Sequence, residues 1–200
     1  MVLLPAAGAS RRMRGRDKLL EEVRGRPLLA DRVAAALTLG GEVMVTLPPE
    51  GTARRAALAP LAGPRLRLEA VPEAAEGMAA SLRRGAARAI AQGAEGVMIL
   101  LPDLPDLTAE DLACVACAFD GAAILRATAA DGAPGHPVII PARLLPELER
   151  LRGDTGARAL IAAHRVRHVA LPERRTVTDL DTPEAWAAWR ARQPKSVKKT

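Results

Sequence analysis

Aromatic side chains are scarce in this chain: Phe119, Trp186 and Trp189 stand alone among 200 residues, and tyrosine is absent. Proteins that hold single-stranded nucleic acid stack bases on aromatic rings. The scarcity therefore argues against a nucleic-acid partner, although the net charge is +6 and the pI is near 10.3. Basic residues are interspersed with acids except in an opening loop and in the tail carrying Lys195, Lys198 and Lys199. Long apolar runs are also missing. Hydrophobic residues make up 49% of the chain, yet none of the runs approaches the roughly 18 residues that span a bilayer. The short apolar start is followed, not preceded, by positive charge, which is the wrong order for a secretory signal. A soluble, cytoplasmic protein without a membrane partner is expected.

Cysteine is limited to Cys114 and Cys117, a single C-x-x-C in DLACVACAF. A zinc site needs further ligands at suitable spacing, and the surrounding Ala, Leu and Val at helical spacing predict two small thiols packed in the core. Neither common phosphate fingerprint occurs. Gly8 and Gly15 are not followed by the Lys-Ser/Thr of a P-loop, and no G-x-G-x-x-G opens a helix.

The length fits one domain, expected over residues 1–192 with a disordered tail at 193–200. Apolar runs bounded by Gly and Pro predict strands at 1–4, 43–47, 66–71, 96–101, 122–127, 137–141 and 166–171. Helical spacing predicts helices at 27–39, 53–61, 78–92, 107–119, 144–151, 155–163 and 183–192. Thr108 should cap the fourth, with Asp111 in the capping-box position. Such alternation argues for an α/β sandwich around a mostly parallel sheet, with ligands at the carboxyl ends of its strands.

Two stretches can carry chemistry at that edge. LPAAGASRRMRGRDKLL, at 4–20, runs from a strand into a small-residue loop and then a basic cluster. Exposed backbone N–H groups beside cations suit a polyphosphate; a solvated basic surface loop is the plainer alternative. PDLPD, at 102–106, follows the buried strand at 96–101. Asp103, set opposite Lys18 and the Gly8 loop, would complete a site for Mg²⁺ and a nucleotide, because Mg²⁺ takes one or two carboxylates and draws its other ligands from phosphates and water. Asp103 as a turn cap is the competing reading. In TVTDLDTPEAW, Asp179 is the better second metal ligand, and Asp181 can cap the last helix, just before Thr182 and Pro183.

Together with RPLL at 26–29, GMAASLRRG at 77–85, LPDLPDL at 101–107, GHPVIIP at 135–141, RGDTGARALI at 152–161 and TDLDTPEAW at 178–186, the opening motif resembles the molybdopterin nucleotidyltransferase family. The likeness is greatest to its molybdenum cofactor cytidylyltransferases and runs over about nine tenths of the chain. The resemblance implies a three-layer Rossmann-like α/β fold like that of nucleotide-diphospho-sugar transferases. It implies that Ala6, Ala7, Gly8, Ser10 and Arg12 embrace a triphosphate and that Lys18 neutralises it. Gly77 to Leu82, with Gly77 and Ser81 as nucleotide contacts, would help line the base and acceptor pocket, and Asp103 and Asp179 would lie at Mg²⁺. Arg12, Lys18 and Asp103 are then the catalytic candidates, and the GMAASL element favours CTP over GTP.

His136, Asp181 and Arg158 are candidate substrate contacts, Arg158 toward an anionic acceptor. Asp154 is expected to cap the helix that follows it, and Met78 and Met98 to sit in the core. The implied activity is transfer of CMP from CTP to the phosphate of molybdopterin, with transient contact to molybdoenzymes. The alternatives are transfer of GMP to the same acceptor, action on a sugar or isoprenoid phosphate, or a non-catalytic nucleotide-binding carrier.

Overall fold

A computed structural model describes residues 1–8, 13–153, 156–178 and 180–193. The chain opens with β1 (Val2–Pro5), and a small antiparallel hairpin follows, β2 (Glu22–Val23) against β3 (Arg26–Pro27). The elements α1 (Leu28–Leu37), β4 (Val43–Leu47), α2 (Thr52–Leu58), β5 (Leu66–Ala70), α3 (Met78–Ala91), β6 (Gly96–Ile99) and α4 (Ala109–Cys117) complete the first half. The second half holds β7 (Ile124–Thr128), β8 (Pro134–Pro141), α5 (Leu145–Glu149), α6 (Arg158–Ala163), β9 (Val166–Ala170) and α7 (Pro183–Arg192).

One seven-stranded sheet runs in the order β5-β4-β1-β6-β8-β7-β9. The pairs β4–β5, β1–β4, β1–β6 and β7–β9 are parallel, and β8 runs against both of its neighbours. Alternate residues of the strands face two different cores, as the period of two in a strand requires. Leu4, Val43, Val45 and Met98 face α1, α4 and α7. Leu3, Met44, Val97 and Ile99 face α3 and α5. The result is the three-layer, mostly parallel α/β sandwich of the sequence reading. Gly85 lets α3 lie directly on β1, since a Cβ there would come within 2.3 Å of Leu3 Cδ2. No helix among the described residues is long and apolar enough to cross a membrane.

The capping box is formed as expected: Thr108 Oγ1 accepts from the Asp111 N–H at 3.1 Å, and the Thr108 N–H donates to Asp111 at 3.0 Å. Three expectations need correcting. Cys114 and Cys117 are exposed; Leu112 and Val115, offset from them on the helix but sharing the same i, i+3 spacing, take the core face instead. Met78 is 37% exposed and stands on a pocket wall, whereas Met98 is core. Asp181 does not cap α7. Thr182 does, its hydroxyl accepting from the Ala185 N–H at 3.2 Å. The expected cap at Asp154 lies outside the described residues.

Candidate active site

The sheet order reverses between β1 and β6. From β1 the chain moves outward through β4 to β5, then returns to place β6 on the other side of β1. At such a switch point the loops leaving the two strands part and open a crevice. Because β1 and β6 are parallel neighbours, with Leu3 opposite Ile99, the loop after Pro5 and the loop carrying Asp103 emerge side by side. The antiparallel β8 adds a third segment to this edge. Val138 lies opposite Ile99, so His136, two residues earlier, reaches the end where β6 delivers Leu101 and Asp103.

Lys18 sits at the centre. It begins a single 3-10 turn, Lys18–Leu20, capped by Asp17, whose carboxylate accepts from the Leu19 N–H at 3.1 Å. Lys18 Nζ donates to Asp103 Oδ2 at 2.6 Å and to Asp181 Oδ1 at 2.5 Å. Burial works against the charged lysine most strongly, but the two carboxylates outweigh it, and the Lys18 pKa is raised above its ordinary value of 10.5. The lysine is therefore an ammonium at neutral pH. Asp103 Oδ1 is buried and has no hydrogen-bond partner among the described residues. A buried carboxylate oxygen left this way is costly unless a ligand completes it. Among the described residues no cluster of three or more His, Cys, Asp or Glu forms a metal cage.

The surrounding loops are held from several directions. Arg54, on α2 and 5% exposed, donates to Asp17 through Nε at 2.6 Å and Nη2 at 2.9 Å. Its Nη1 donates to the carbonyls of Ala6 at 2.5 Å and Gly8 at 2.9 Å. Met13 is wholly buried and anchors the basic stretch in the core. Arg14 and Arg16 turn outward to Glu184 and Glu21. The 101–107 loop is gripped by Arg32, which donates to the Leu107 carbonyl, and by Trp189, whose Nε1 donates to Asp106 at 2.7 Å. Trp186 and Trp189 meet edge to face at 5.7 Å, and Trp186 Nε1 donates to the Leu180 carbonyl at 3.1 Å. α7 thus ties the segment bearing Asp181 to the segment bearing Asp103.

Other candidates occupy the same edge. Ala6 and Ala7 are buried and Gly8 is exposed; a Cβ at Gly8 would meet nothing within 4 Å. Gly77 caps α3 with φ of 91°, a conformation suited to glycine, and Ser81 lies in the first turns of that helix, 2% exposed. Ser10, Arg12 and Asp179 lie outside the described residues. His136 is largely enclosed. Burial, above all, lowers its pKa below the ordinary 6.5, with the field of Arg126 acting the same way and the Ile99 carbonyl and Asp103 opposing. Its Nδ1 faces the Ile99 carbonyl at 3.3 Å and, the imidazole being neutral, donates to it, which leaves Nε2 as an acceptor. Below pH about 6.5 the unfolded chain takes up a proton at His136 that the folded chain resists, so acidification costs stability here.

Arg54 and Arg126 had no local signal in the sequence. Gly135 had one, the GHP motif, and its reason is steric. A Cβ at Gly135 would fall 2.3 Å from the Thr176 carbonyl, and the neighbouring His136 N–H donates to the same oxygen at 3.1 Å. Gly135→Ala must push this strand end away. It is expected to cost about 1–3 kcal/mol and to lower Tm by roughly 2–10 °C in a melting experiment.

A lysine bridging two carboxylates thus lies beside the exposed Gly8 at the switch-point edge of a mostly parallel sheet, the edge at which proteins of this α/β class hold their ligands. The MobA-like NTP transferase domain family matches residues 2–169, and the chain belongs to that family of nucleotidyltransferases. It is 31% identical over 190 residues to the purine catabolism protein PucB of Bacillus subtilis (strain 168), covering 90% of this chain and 91% of PucB. Rv0371c from Mycobacterium tuberculosis H37Rv shares 28% identity at a TM-score of 0.79, over 94% of this chain and 95% of that one. The structure of Rv0371c complexed with manganese gives a TM-score of 0.78 at 26% identity, over 96% and 98% of the two chains.

Proposed function

We propose that this nucleotidyltransferase moves CMP from CTP to the phosphate of molybdopterin and releases pyrophosphate, with Mg²⁺ as its metal. The observation that carries the transfer is the Lys18 bridge to Asp103 and Asp181 beside the Gly8 loop. An acceptor phosphate oxygen attacks the α-phosphorus of CTP, a new P–O bond forms, and the bond to the β-phosphate breaks. The attacking phosphate is already ionised at neutral pH, so the protein's work is alignment and stabilisation of charge. Lys18 counters the charge that moves to the leaving pyrophosphate, and Arg12 shares that task in this reading. The open space over Gly8 admits a phosphate close to the backbone.

The buried, unpartnered oxygen of Asp103 fits a single carboxylate ligand to a divalent cation. Asp179 would supply the second, and phosphates and water the rest. Once bound, Mg²⁺ supplies Lewis acidity and a template for the triphosphate. The manganese complex of Rv0371c supports a divalent cation. The choice of CTP rests on the GMAASL element, which opens α3 at Gly77. A cytoplasmic location and transient delivery of product to molybdoenzymes belong to the same reading.

A thermal-shift panel over the four ribonucleoside triphosphates with Mg²⁺ tests the first half, and CTP is expected to stabilise most. In turnover with molybdopterin, followed by pyrophosphate release, CTP should outcompete GTP. Equal use of both sinks the base assignment, and absence of pyrophosphate with molybdopterin sinks the acceptor.

A further inference from the structure

The C-x-x-C of the sequence has no part in the nucleotide edge, and the fold does not bury it. Cys114 and Cys117 are both exposed and both free. They share the solvent face of α4 at i and i+3, while Leu112 and Val115 hold the other side in the core. The helix is fixed at both ends. The capping box at Thr108 and Asp111 sets its start, and Arg167 grips the far end, donating to the Ala118 carbonyl at 3.1 Å and to Asp120. The two thiols therefore stand on a helix that caps and packing keep wound.

Helical geometry limits what such a pair can do. A rise of about 1.5 Å per residue on a Cα radius of about 2.3 Å sets the two Cα atoms about 5 Å apart, within the range of a disulfide. The Cβ atoms of an i, i+3 pair are about 5–6 Å apart, beyond the roughly 3.5–4.5 Å that a disulfide needs. An intact α4 thus resists an S–S bond, yet both sulfurs can reach one atom placed between them.

The donor set selects that atom. Among the described residues no group of three or more His, Cys, Asp or Glu could hold a metal ion, so the pair offers two sulfur ligands and no more. Structural Zn²⁺ takes four ligands, and Mg²⁺ and Ca²⁺ take oxygen. Soft thiolates select ions such as Cu(I), whose filled d shell accepts two ligands in line. Each thiol gives its proton to solvent as its bond to the metal forms. Two thiolates and one monovalent cation leave a single net negative charge. The carboxyl end of a helix disfavours that charge, and Arg167, held at the Ala118 carbonyl just past Cys117, stands where it can offset it.

We propose that Cys114 and Cys117 form a surface site for one soft monovalent cation of the Cu(I) class, bound as a two-coordinate dithiolate. The ion would lie about 9–14 Å along α4 from Thr108, on a different part of the molecule from the Lys18 bridge, and the inference does not depend on the nucleotidyltransferase reading. Because the thiols face solvent, such an ion is open to ligand exchange with an incoming thiol.

Titration of the reduced full chain, without oxygen, against Cu(I) held by the chromophoric chelator bicinchoninate tests the site. The protein is expected to withdraw one ion per chain with no change in its oligomeric state. Cys114→Ser and Cys117→Ser should each weaken uptake by about 10²-fold or more, since a second tethered ligand raises affinity by that order. Equimolar Zn²⁺ should leave Cu(I) uptake unchanged. Both positions are exposed, so each variant should melt within about 3 °C of the parent, and its loss of binding then reports the missing sulfur. Failure to withdraw Cu(I), a single-serine variant that binds as tightly as the parent, one ion shared between two chains, or displacement of Cu(I) by equimolar Zn²⁺ overturns the inference.

Discussion

Lys18→Met is expected to lower nucleotidyl transfer by about 10²–10³-fold, the usual consequence of removing one group placed to meet developing charge. The methionine keeps most of the side-chain volume, so the loss reports charge and donors. Three physical effects combine. In the proposed transfer the leaving pyrophosphate would lose its countercharge, Asp103 and Asp181 lose the ammonium between them, and the two carboxylates are left to repel one another. The last effect predicts a stability cost as well. The Lys18 side chain is 17% exposed, so the cost is discounted for solvent and set at about 1–3 kcal/mol.

The alkaline limb of the stability profile separates these effects. The folded pKa of Lys18 lies above the unfolded value of 10.5. The bridge therefore contributes its full stability below that pH and loses it as pH rises through the folded value. In Lys18→Met this alkaline decline should flatten. Full activity in a pyrophosphate-release assay removes Lys18 from the transfer, and an unchanged alkaline profile removes it from the bridge's contribution to stability. Asp103→Asn should lose activity to a similar degree while keeping the alkaline limb in part, since Asp181 still holds the lysine.

Much of the fold was readable because its signals are local. The buried run at 43–47, the capping box at Thr108 and Asp111, and the Pro183 start of the last helix each announce an element within a few residues. The hairpin at 22–27 was missed because two-residue strands carry no period, and Arg24 and Gly25 merged with the basic stretch before them. Periodicity likewise cannot tell which of two faces points inward. Cys114 and Cys117 share the spacing of Leu112 and Val115, and only contact with the sheet decides between them. The meeting of Lys18 with Asp103 was legible, because adjacent parallel strands must deliver their loops to one edge. Asp181 was not, since an acid before Thr-Pro reads equally as a cap. Arg54 and Arg126 were invisible for a stronger reason. In TARRAAL nothing says that Arg54 turns in while Arg55 stays half exposed, because its partners are Asp17, Ala6 and Gly8, far away in sequence.

Arg54 carries the other large expected effect. Its guanidinium is a clamp with two jaws: one holds the Asp17 carboxylate through two bonds, and the other holds the carbonyls of Ala6 and Gly8. Ala6 and Gly8 are thereby fixed to Asp17 and to α2, with Lys18 next in the chain after the clamped aspartate. Arg54→Met removes every one of these bonds and takes this donor from the carbonyl of the buried Ala6. A stability loss of about 2–4 kcal/mol is expected, seen as a fall in Tm of roughly 4–15 °C. Arg54→Lys retains the charge but not the planar fork, and an ammonium cannot reproduce the side-on grip on Asp17 while reaching two carbonyls. It should recover part of the stability and little of the loop's order. The kinetic signature distinguishes positioning from mere scaffolding. KM for the nucleotide should rise about tenfold or more in Arg54→Lys, with KM for the acceptor changed far less, because the clamp touches only the loop that would hold the triphosphate. A uniform loss in both constants would mean that Arg54 holds the fold and not the loop. In a double-mutant cycle with Asp17→Asn, the two changes should cost less together than their sum, since each alone already opens the same jaw.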